Sequence, residues 1–363
     1  MGGDYGRVGI PCSLGDFWST LLQTGPELKK ECHANDVGEL RRGVSERGPL
    51  ADLSARFVRR AAIEAELHKG RQAYGRGDFF LRHDDVLRPI VRWSLKAAGL
   101  YAAGLRNALQ PVVRSLCFEF DSLPAVFHGF RLLHLSDLHI DGIDGLAERT
   151  AEIVSDLPVD VCVITGDYRF EIYGPCDRIY PRMNLILRAI RAKYGVLGIL
   201  GNHDSAEIAM ELARMGVHML INDSAELRSA QSAVWIAGVD DPHYYGCDDL
   251  GQAMSGIPEG GFKVLLAHSP ELYDEAAAVG TDLYLCGHTH GGQIRLPRPF
   301  RGRWATPIRN AACPPEYTYG EWRHQGMQGF TTAGVGASLL PIRYNCPPEI
   351  VVIELRRSSR QRV

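Results

Sequence analysis

From about residue 127 onward the chain is built of short apolar runs of strand length: "RLLHLS", "VDVCVITG", "YGVLGILG", "AVWIAGV", "FKVLLAH", "DLYLCG" and "EIVVIEL". Helical stretches such as "GLAERTAEIVSD" and "RMNLILRAIRAKY" separate the early ones. Buried strands alternating with helices predict an α/β domain. The strongest constraint lies at the strand ends. "LLHLSDLH" delivers Asp137 and His139, and "VCVITGD" delivers Asp167. "LGILGNHD" delivers Asn202, His203 and Asp204, "VLLAHSP" delivers His268, and "LYLCGHTH" delivers His288 and His290. An open α/β sheet presents its ligands at such ends. One coincidence of strand end and ligand chemistry carries little weight, but five point to a shared site. In "GHTHGGQ", residues 287–293, two imidazoles stand two positions apart between glycines, which let the loop bend and a bound group approach the backbone.

Imidazole and carboxylate together suit Fe, Mn, Zn or Co, whereas an all-oxygen shell suits Mg or Ca and an all-thiolate shell structural zinc. Two such ions about 3.5–4 Å apart can clamp a phosphate and turn a bridging water into hydroxide near neutral pH. The order D-x-H, G-D, G-N-H-D, H, G-H-x-H resembles the calcineurin-like metallophosphoesterase superfamily over roughly residues 127–355. The resemblance implies a four-layer α/β/β/α sandwich of two packed sheets and a cofactor of two divalent metal ions (Mn, Fe or Zn). Motif by motif, it implies that Asp137, His139 and His290 hold one ion, that Asn202, His268 and His288 hold the other, and that Asp167 bridges them. It further implies in-line attack of hydroxide on phosphorus. His203 would then stabilise the developing charge or protonate the leaving oxygen, and Asp204 would orient its ring.

The stretches "GHTHGGQIRLP", "TTAGVGASLLPIRYNCPPEIVVIEL" and "FDSLPAVFHGFRLLHLSDLH" are similar to a bacterial branch of that superfamily. Its members commonly carry an N-terminal membrane segment, and some are linked to cleavage of the pyrophosphate of UDP-diacylglucosamine. The resemblance therefore implies hydrolysis of a phosphodiester or pyrophosphate bond in a lipid-linked or nucleotide-sugar substrate. Cyclic-nucleotide hydrolysis and nuclease activity stand as alternatives, because a metal core does not choose a leaving group. A catalytically silent scaffold is the alternative of another class, disfavoured by the full ligand set.

Upstream, the sequence divides into an extension at 1–85, a basic amphipathic helix with connector at 86–126, the catalytic domain at 127–357 and a tail at 358–363. The extension is predicted to be mostly helical, through "ADLSARFVRRAAIEAELHKGRQAY" with a turn-like "GRGD" after it, and suggests no chemistry. Residues 86–116 contain no acidic side chain but five basic ones, Arg88, Arg92, Lys96, Arg106 and Arg114. Ile90, Val91, Leu95, Ala98, Tyr101, Ala102, Leu105 and Leu109 recur at helical spacing, with Pro89 in the first turn and Pro111 expected to kink or end the helix. Such a helix either packs on the domain with its arginines in water or lies in the interface of an anionic membrane.

At 363 residues and 45% hydrophobic content the chain can bury a sizeable core, and its net charge of -3 argues against a stable nucleic-acid complex. Nine scattered cysteines without a C-x-x-C pair fit a reducing cytosol. Neither a signal peptide nor the roughly 20 apolar residues of a spanning helix is evident. The expected location is cytoplasmic, with peripheral contact on the inner face of the cell membrane. His134, Cys162 and Cys286 read as core residues, Gly166, Gly201 and Gly287 as serving backbone geometry, and Asp141, Asp144, Asp240, Asp241 and His243 as polar loop residues.

Overall fold

The residue alternation along each strand decides how the layers stack. The computed structural model describes residues 39–42, 57–67, 84–297, 304–305 and 310–358, and its labels follow chain order. One sheet runs β2 (Val112–Phe120), β15 (Glu349–Arg357), β3 (Phe130–Leu135), β4 (Val161–Thr165), β5 (Val196–Ile199), β6 (His218–Met219). Every pairing in it is parallel except that of β15 with β3. The other sheet runs β1 (Glu39–Arg42), β7 (Asp223–Ser229), β8 (Ser232–Gly238), β9 (Phe262–Leu266), β10 (Leu283–Cys286), β14 (Met327–Thr331), β13 (Gly320–His324). It is parallel from β8 through β14 and antiparallel at both margins. A two-stranded ribbon, β11 (Leu296–Pro297) with β12 (Trp304–Ala305), stands apart.

Leu132, Val161, Val163, Leu197 and Ile199 of the first sheet share one core with Leu227, Val234, Ile236, Val264, Leu266, Leu283, Leu285 and Phe330 of the second. The intervening residues face the other way. Ala237, Leu265, Tyr284 and Cys286 pack with Ala253, Leu272 and Ala276, the first of these on α7 (Leu250–Met254) and the last on α8 (Tyr273–Ala278). Cys162 and Ile164 are buried as well, and α4 (Leu146–Ser155), α5 (Ile179–Ala189) and α6 (Ala206–Arg214) bury Val154, Ile186 and Leu212. Strands covered on both faces need no polar alternation, which is why "VCVIT" and "LYLC" read as unbroken apolar runs. Each buried Val or Leu contributes about 1.5–3 kcal/mol. The result is the predicted α/β architecture of two sheets flanked by helices.

The N-terminal part differs in detail from expectation. Of the long helical stretch, α1 (Val58–Leu67) is described, while residues 51–56 and 68–74 and the "GRGD" turn at 75–78 lie outside the described residues. Strand β1, also upstream, adds antiparallel to β7. The single helix expected from 86 to Pro111 is two helices, α2 (Asp84–Ala97) and α3 (Leu100–Ala108), parted at Gly99 with φ 69°. From Val112 onward the chain is a strand paired parallel with β15, so Arg114 sits in the sheet, 3.7 Å from Glu349, and not on the basic helix.

The two halves of this helix differ in their burial. Helix α3 packs: a Cβ at Gly104 would lie 2.8 Å from Ile342 and Tyr344, and Arg343 donates its backbone N–H to the Gly104 carbonyl at 3.0 Å. Helix α2 leaves Ile90 57% and Trp93 74% exposed, and with Ala97 they share one helical face. No helix among the described residues is long and apolar enough to cross a membrane.

Candidate active site

Because β3, β4 and β5 run parallel in one sheet and β9 and β10 run parallel in the other, each group brings its carboxyl ends to a common edge. The loops that follow are forced into conformations most side chains avoid. Asp137, His139, Asp167, His288 and His290 have φ of 48°, 39°, 57°, 68° and 51°, five of the eleven non-glycine residues at positive φ among the described residues. Each costs on the order of 1–3 kcal/mol, and such strain persists where the surroundings over-determine the geometry. Part of that determination is visible. Asp137 accepts the His288 backbone N–H at 3.0 Å, and the Asp137 N–H donates to Gly166 O at 3.0 Å.

The ligand-type atoms converge in two overlapping sets. In the first, His139 Nε2 and His290 Nε2 lie 3.1 Å apart, with Asp137 Oδ1 3.4 Å from His290 Nε2. In the second, Asn202 Oδ1 lies 3.0 Å from His268 Nε2 and 2.9 Å from His288 Nδ1. Asp167 stands between them, its Oδ2 3.5 Å from His139 Nε2 and 3.3 Å from His268 Nε2. All seven predicted ligands are buried. Asp137–His139–His290, His139–Asp167–His203 and Asp137–Asp167–His268 form ligand clusters within 4.8 Å.

A metal pair fits this donor set, and the hydrogen bonds behind the rings show why. His139 Nδ1 donates to Arg169 O at 2.6 Å, His268 Nδ1 to Thr165 O at 2.7 Å and His288 Nε2 to Asn310 O at 2.8 Å. Each ring spends its N–H on a carbonyl and turns the lone pair of its other nitrogen inward, the arrangement that orients metal-binding histidines. Burial holds His139, His288 and His290 below the usual histidine range, hence neutral and able to coordinate. For Asp167 burial works upward, but His268 and His203 outweigh it and hold the carboxyl well below the ordinary value. Burial pushes Asp137 the other way, upward, with Asp167 adding to it. For His268 burial works downward, but Asp167 and Asp137 outweigh it and raise the ring to about 10. A cationic imidazole thus stands among the buried carboxylates, at a place where a divalent cation would supply the balancing charge.

His203 belongs to this cluster without facing it fully. Its ring is 13% exposed, its Nδ1 is bonded to Phe170 O at 2.7 Å, and its Nε2 is 3.9 Å from Asp167 Oδ2. Asp204 does not orient this ring, contrary to expectation. Its carboxylate accepts the backbone N–H groups of Asp167 at 2.8 Å, Tyr168 at 2.9 Å and Gly201 at 2.9 Å, tying the β4 loop to the β5 loop. Orientation of His203 comes from the Phe170 carbonyl and from Arg169, whose Nε and Nη2 donate to His203 O at 2.9 and 2.8 Å. Nothing in "GDYRF" marks Arg169 for this task. The buried Arg343 went unremarked as well, and its Nη2 lies 3.3 Å from His290 Nδ1.

The residues expected to be structural are so placed. His134 is buried with Nε2 2.9 Å from Thr165 Oγ1, burial taking its pKa down to about 3, and Cys162 and Cys286 are fully buried. Asp141 accepts the Phe170 N–H, Asp144 pairs with Arg178 and Arg182, and Asp241 accepts the N–H groups of Tyr244 and Tyr245. His243 comes closer to the site than its loop position suggested. Its ring centroid is 4.0 Å from that of His288, and Glu271 holds its Nδ1 at 2.9 Å.

Comparison with known proteins agrees with this geometry. The calcineurin-like phosphoesterase family pattern matches residues 130–292. The metallophosphoesterase YkuE of Bacillus subtilis is 30% identical over 247 residues, covering 65% of this chain and 82% of that protein. The phosphodiesterase YaeI of Escherichia coli is 26% identical over 236 residues, 62% of this chain and 82% of its own. The UDP-2,3-diacylglucosamine pyrophosphatase LpxG of Chlamydia trachomatis is 23% identical over 323 residues, 73% of this chain and 93% of its own. The chain belongs to the calcineurin-like metallophosphoesterase family. It is a hydrolase of phosphoesters, and the family's cofactor is a pair of divalent metal ions.

Proposed function

We propose that the protein hydrolyses a phosphodiester or pyrophosphate bond in a lipid-linked substrate of the UDP-diacylglucosamine kind, while resting on an anionic membrane at the inner face of the cell envelope. The observation that carries the lipid part is the junction between α2 and the mouth of the site. Arg88 of α2 pairs with Glu171 at 2.8 Å and stands over the Phe170 ring at 4.9 Å. Phe170 in turn packs edge-on against His139 and holds His203 through its carbonyl. The same helix exposes Ile90, Val91 and Trp93 beside the basic stripe Arg88, Arg92 and Lys96. Apolar side chains flanked by cations suit the acyl and headgroup regions of an anionic leaflet, and near its surface each Lys or Arg adds about 1 kcal/mol. A substrate held in that leaflet would meet the site at its edge. The similarity to LpxG supports the same substrate class.

In this mechanism Asp137, His139 and His290 would hold one ion, Asn202, His268 and His288 the other, and Asp167 would be shared between them. When bound, the ions polarise the phosphoryl oxygens and lower the pKa of water. The protein's own part is orientation and proton delivery. The Phe170 carbonyl keeps the His203 Nδ1–H in place, which leaves Nε2 on the site side to carry a proton to the leaving oxygen. Protein reconstituted with Mn is expected to hydrolyse bis(p-nitrophenyl) phosphate. His203→Ala should lower kcat by about 10²–10⁴-fold while keeping both Mn ions. Unchanged kcat in that variant would remove His203 from the proton path.

The membrane part is tested by sedimentation with vesicles. Vesicles rich in phosphatidylglycerol should carry the protein down and pure phosphatidylcholine vesicles should not. The double variant Ile90→Glu/Trp93→Glu should stay in the supernatant with bis(p-nitrophenyl) phosphate turnover unaltered. Equal binding of the variant and the wild type would overturn the membrane role of α2.

A further inference from the structure

Helix α1 has no counterpart among the metal-binding motifs, yet it places a fully buried arginine against the G-N-H-D loop. Arg60 is 0% exposed. Its Nη2 donates to two backbone carbonyls, Gly201 O at 2.8 Å and Asp204 O at 2.6 Å, which bracket Asn202 and His203. Its Nη1 pairs with Asp240, which follows β8, and its Nε reaches Glu64 at 3.2 Å. The guanidinium plane lies over the Tyr245 ring, 3.9 Å from the centroid. Glu64, one helical turn on, accepts the Ala206 N–H at 2.9 Å, at the first residue of α6. One helix turn thus grips the catalytic loop before and after its working residues.

We infer that Arg60 is a positioning residue that sets Asn202 and His203 through the two carbonyls on either side of them, which gives the N-terminal extension a part in metal binding and catalysis. A planar fork with several fixed donors can span two carbonyls and a carboxylate at once, and a lysine ammonium on a flexible stem cannot do so with the same geometry. Slack in the loop would act unequally on the two metal sites. Asn202 contributes to the site with His268 and His288, whereas Asp137, His139 and His290 sit on loops that Arg60 does not touch.

The test compares Arg60→Lys with the double variant Arg60→Met/Asp240→Asn, which removes both members of the fully buried pair so that Asp240 is not left as an uncompensated carboxylate. Free Mn is followed by electron paramagnetic resonance in a two-site titration, together with kcat and KM for bis(p-nitrophenyl) phosphate. The expected result is weaker binding by about 10–100-fold at one site only. Binding at the other should be unaltered, and kcat should fall at nearly constant KM. Arg60→Lys should recover thermal stability more fully than it recovers the weakened site. Folded variants with both Mn affinities and kcat at wild-type values would overturn the inference, whatever their melting temperatures. So would failure of both variants to fold, which would assign Arg60 to stability alone. The inference rests on the proposed ligand set. Fewer than two Mn sites in the wild type would overturn that set, whereas two sites unmoved by either variant would overturn only the role of Arg60.

Discussion

Replacing Gly287 by alanine is expected to abolish activity as fully as removing a metal ligand, although glycine has no side chain to contribute. A Cβ at this position would run into Asp137 Oδ2 and Ser136 Oγ and come within 2.9 Å of Ser136 Cβ. The neighbours cannot yield cheaply. Asp137 is tied by Ser136 Oγ at 2.7 Å and by the His288 backbone N–H, and both its partners are buried. The added methyl would separate the loop carrying His288 and His290 from the one carrying Asp137 and His139, dividing the first ligand set across its middle. A displacement of about 1 Å at a reacting centre can cost on the order of 10²-fold. Loss of a ligand contact adds to that. Gly287→Ala should therefore show less than its full Mn content by elemental analysis and a kcat reduced by more than about 10²-fold. Gly251→Ala, in α7, is the contrasting substitution. Its Cβ would meet only Asp249 Oδ1 at 3.5 Å, and it should raise stability by about 0.4–1 kcal/mol with activity intact. A fully active Gly287→Ala enzyme would mean that the two loops are not held at the spacing seen.

The contrast between these glycines shows what sequence reasoning reached and what it did not. The ligand-bearing strands were legible because polar residues interrupted apolar runs at their ends, and the structure brings all seven ligand-type residues to one edge. Strand β2 was missed because it lies at a sheet margin with Val112 and Val113 exposed, so that after Pro111 it shows no continuous buried apolar run of the kind that marks the inner strands. The β7–β8 hairpin turns through Ala230 at φ 53°, a residue that carries no turn signal, and the strand before it went unread. At the site, adjacency in sequence misled. Asp204 follows His203, but its carboxylate ties the backbone of two strand ends together, and the ring is held by a carbonyl 33 residues away. Arg60 is separated by 141 and 144 residues from the two carbonyls it binds, and a buried arginine on an amphipathic helix looks like any solvated one. Local patterns mark ligands. The groups that hold them come from anywhere in the chain.

Asp167→Asn is expected to lose both metal ions, whereas His288→Ala should lose one. Asp167 Oδ2 stands between the two sets, 3.5 Å from His139 Nε2 and 3.3 Å from His268 Nε2. The amide is nearly the same size and can still accept the His203 backbone N–H, which Asp167 Oδ1 receives at 2.9 Å. The fold should therefore survive, and what disappears is the negative charge and half of the lone-pair capacity that two cations would share. Of the two sets, the His288 ring bonds only to the Asn202–His268 one, through Nδ1 to Asn202 Oδ1, with its Nε2 bonded outward to Asn310 O. Its removal leaves Asp137, His139, His290 and Asp167 as a complete set for a single ion. Elemental analysis after Mn loading and desalting should give about none for Asp167→Asn and about one for His288→Ala. Both should fall at least about 10²–10³-fold in kcat, since in-line displacement draws on both cations. Circular dichroism should confirm that both variants stay folded. Two ions retained by Asp167→Asn would place the bridging contact elsewhere, and among the described residues the other carboxylate within reach of both sets is Asp137, which the His288 and Ser136 donors already occupy.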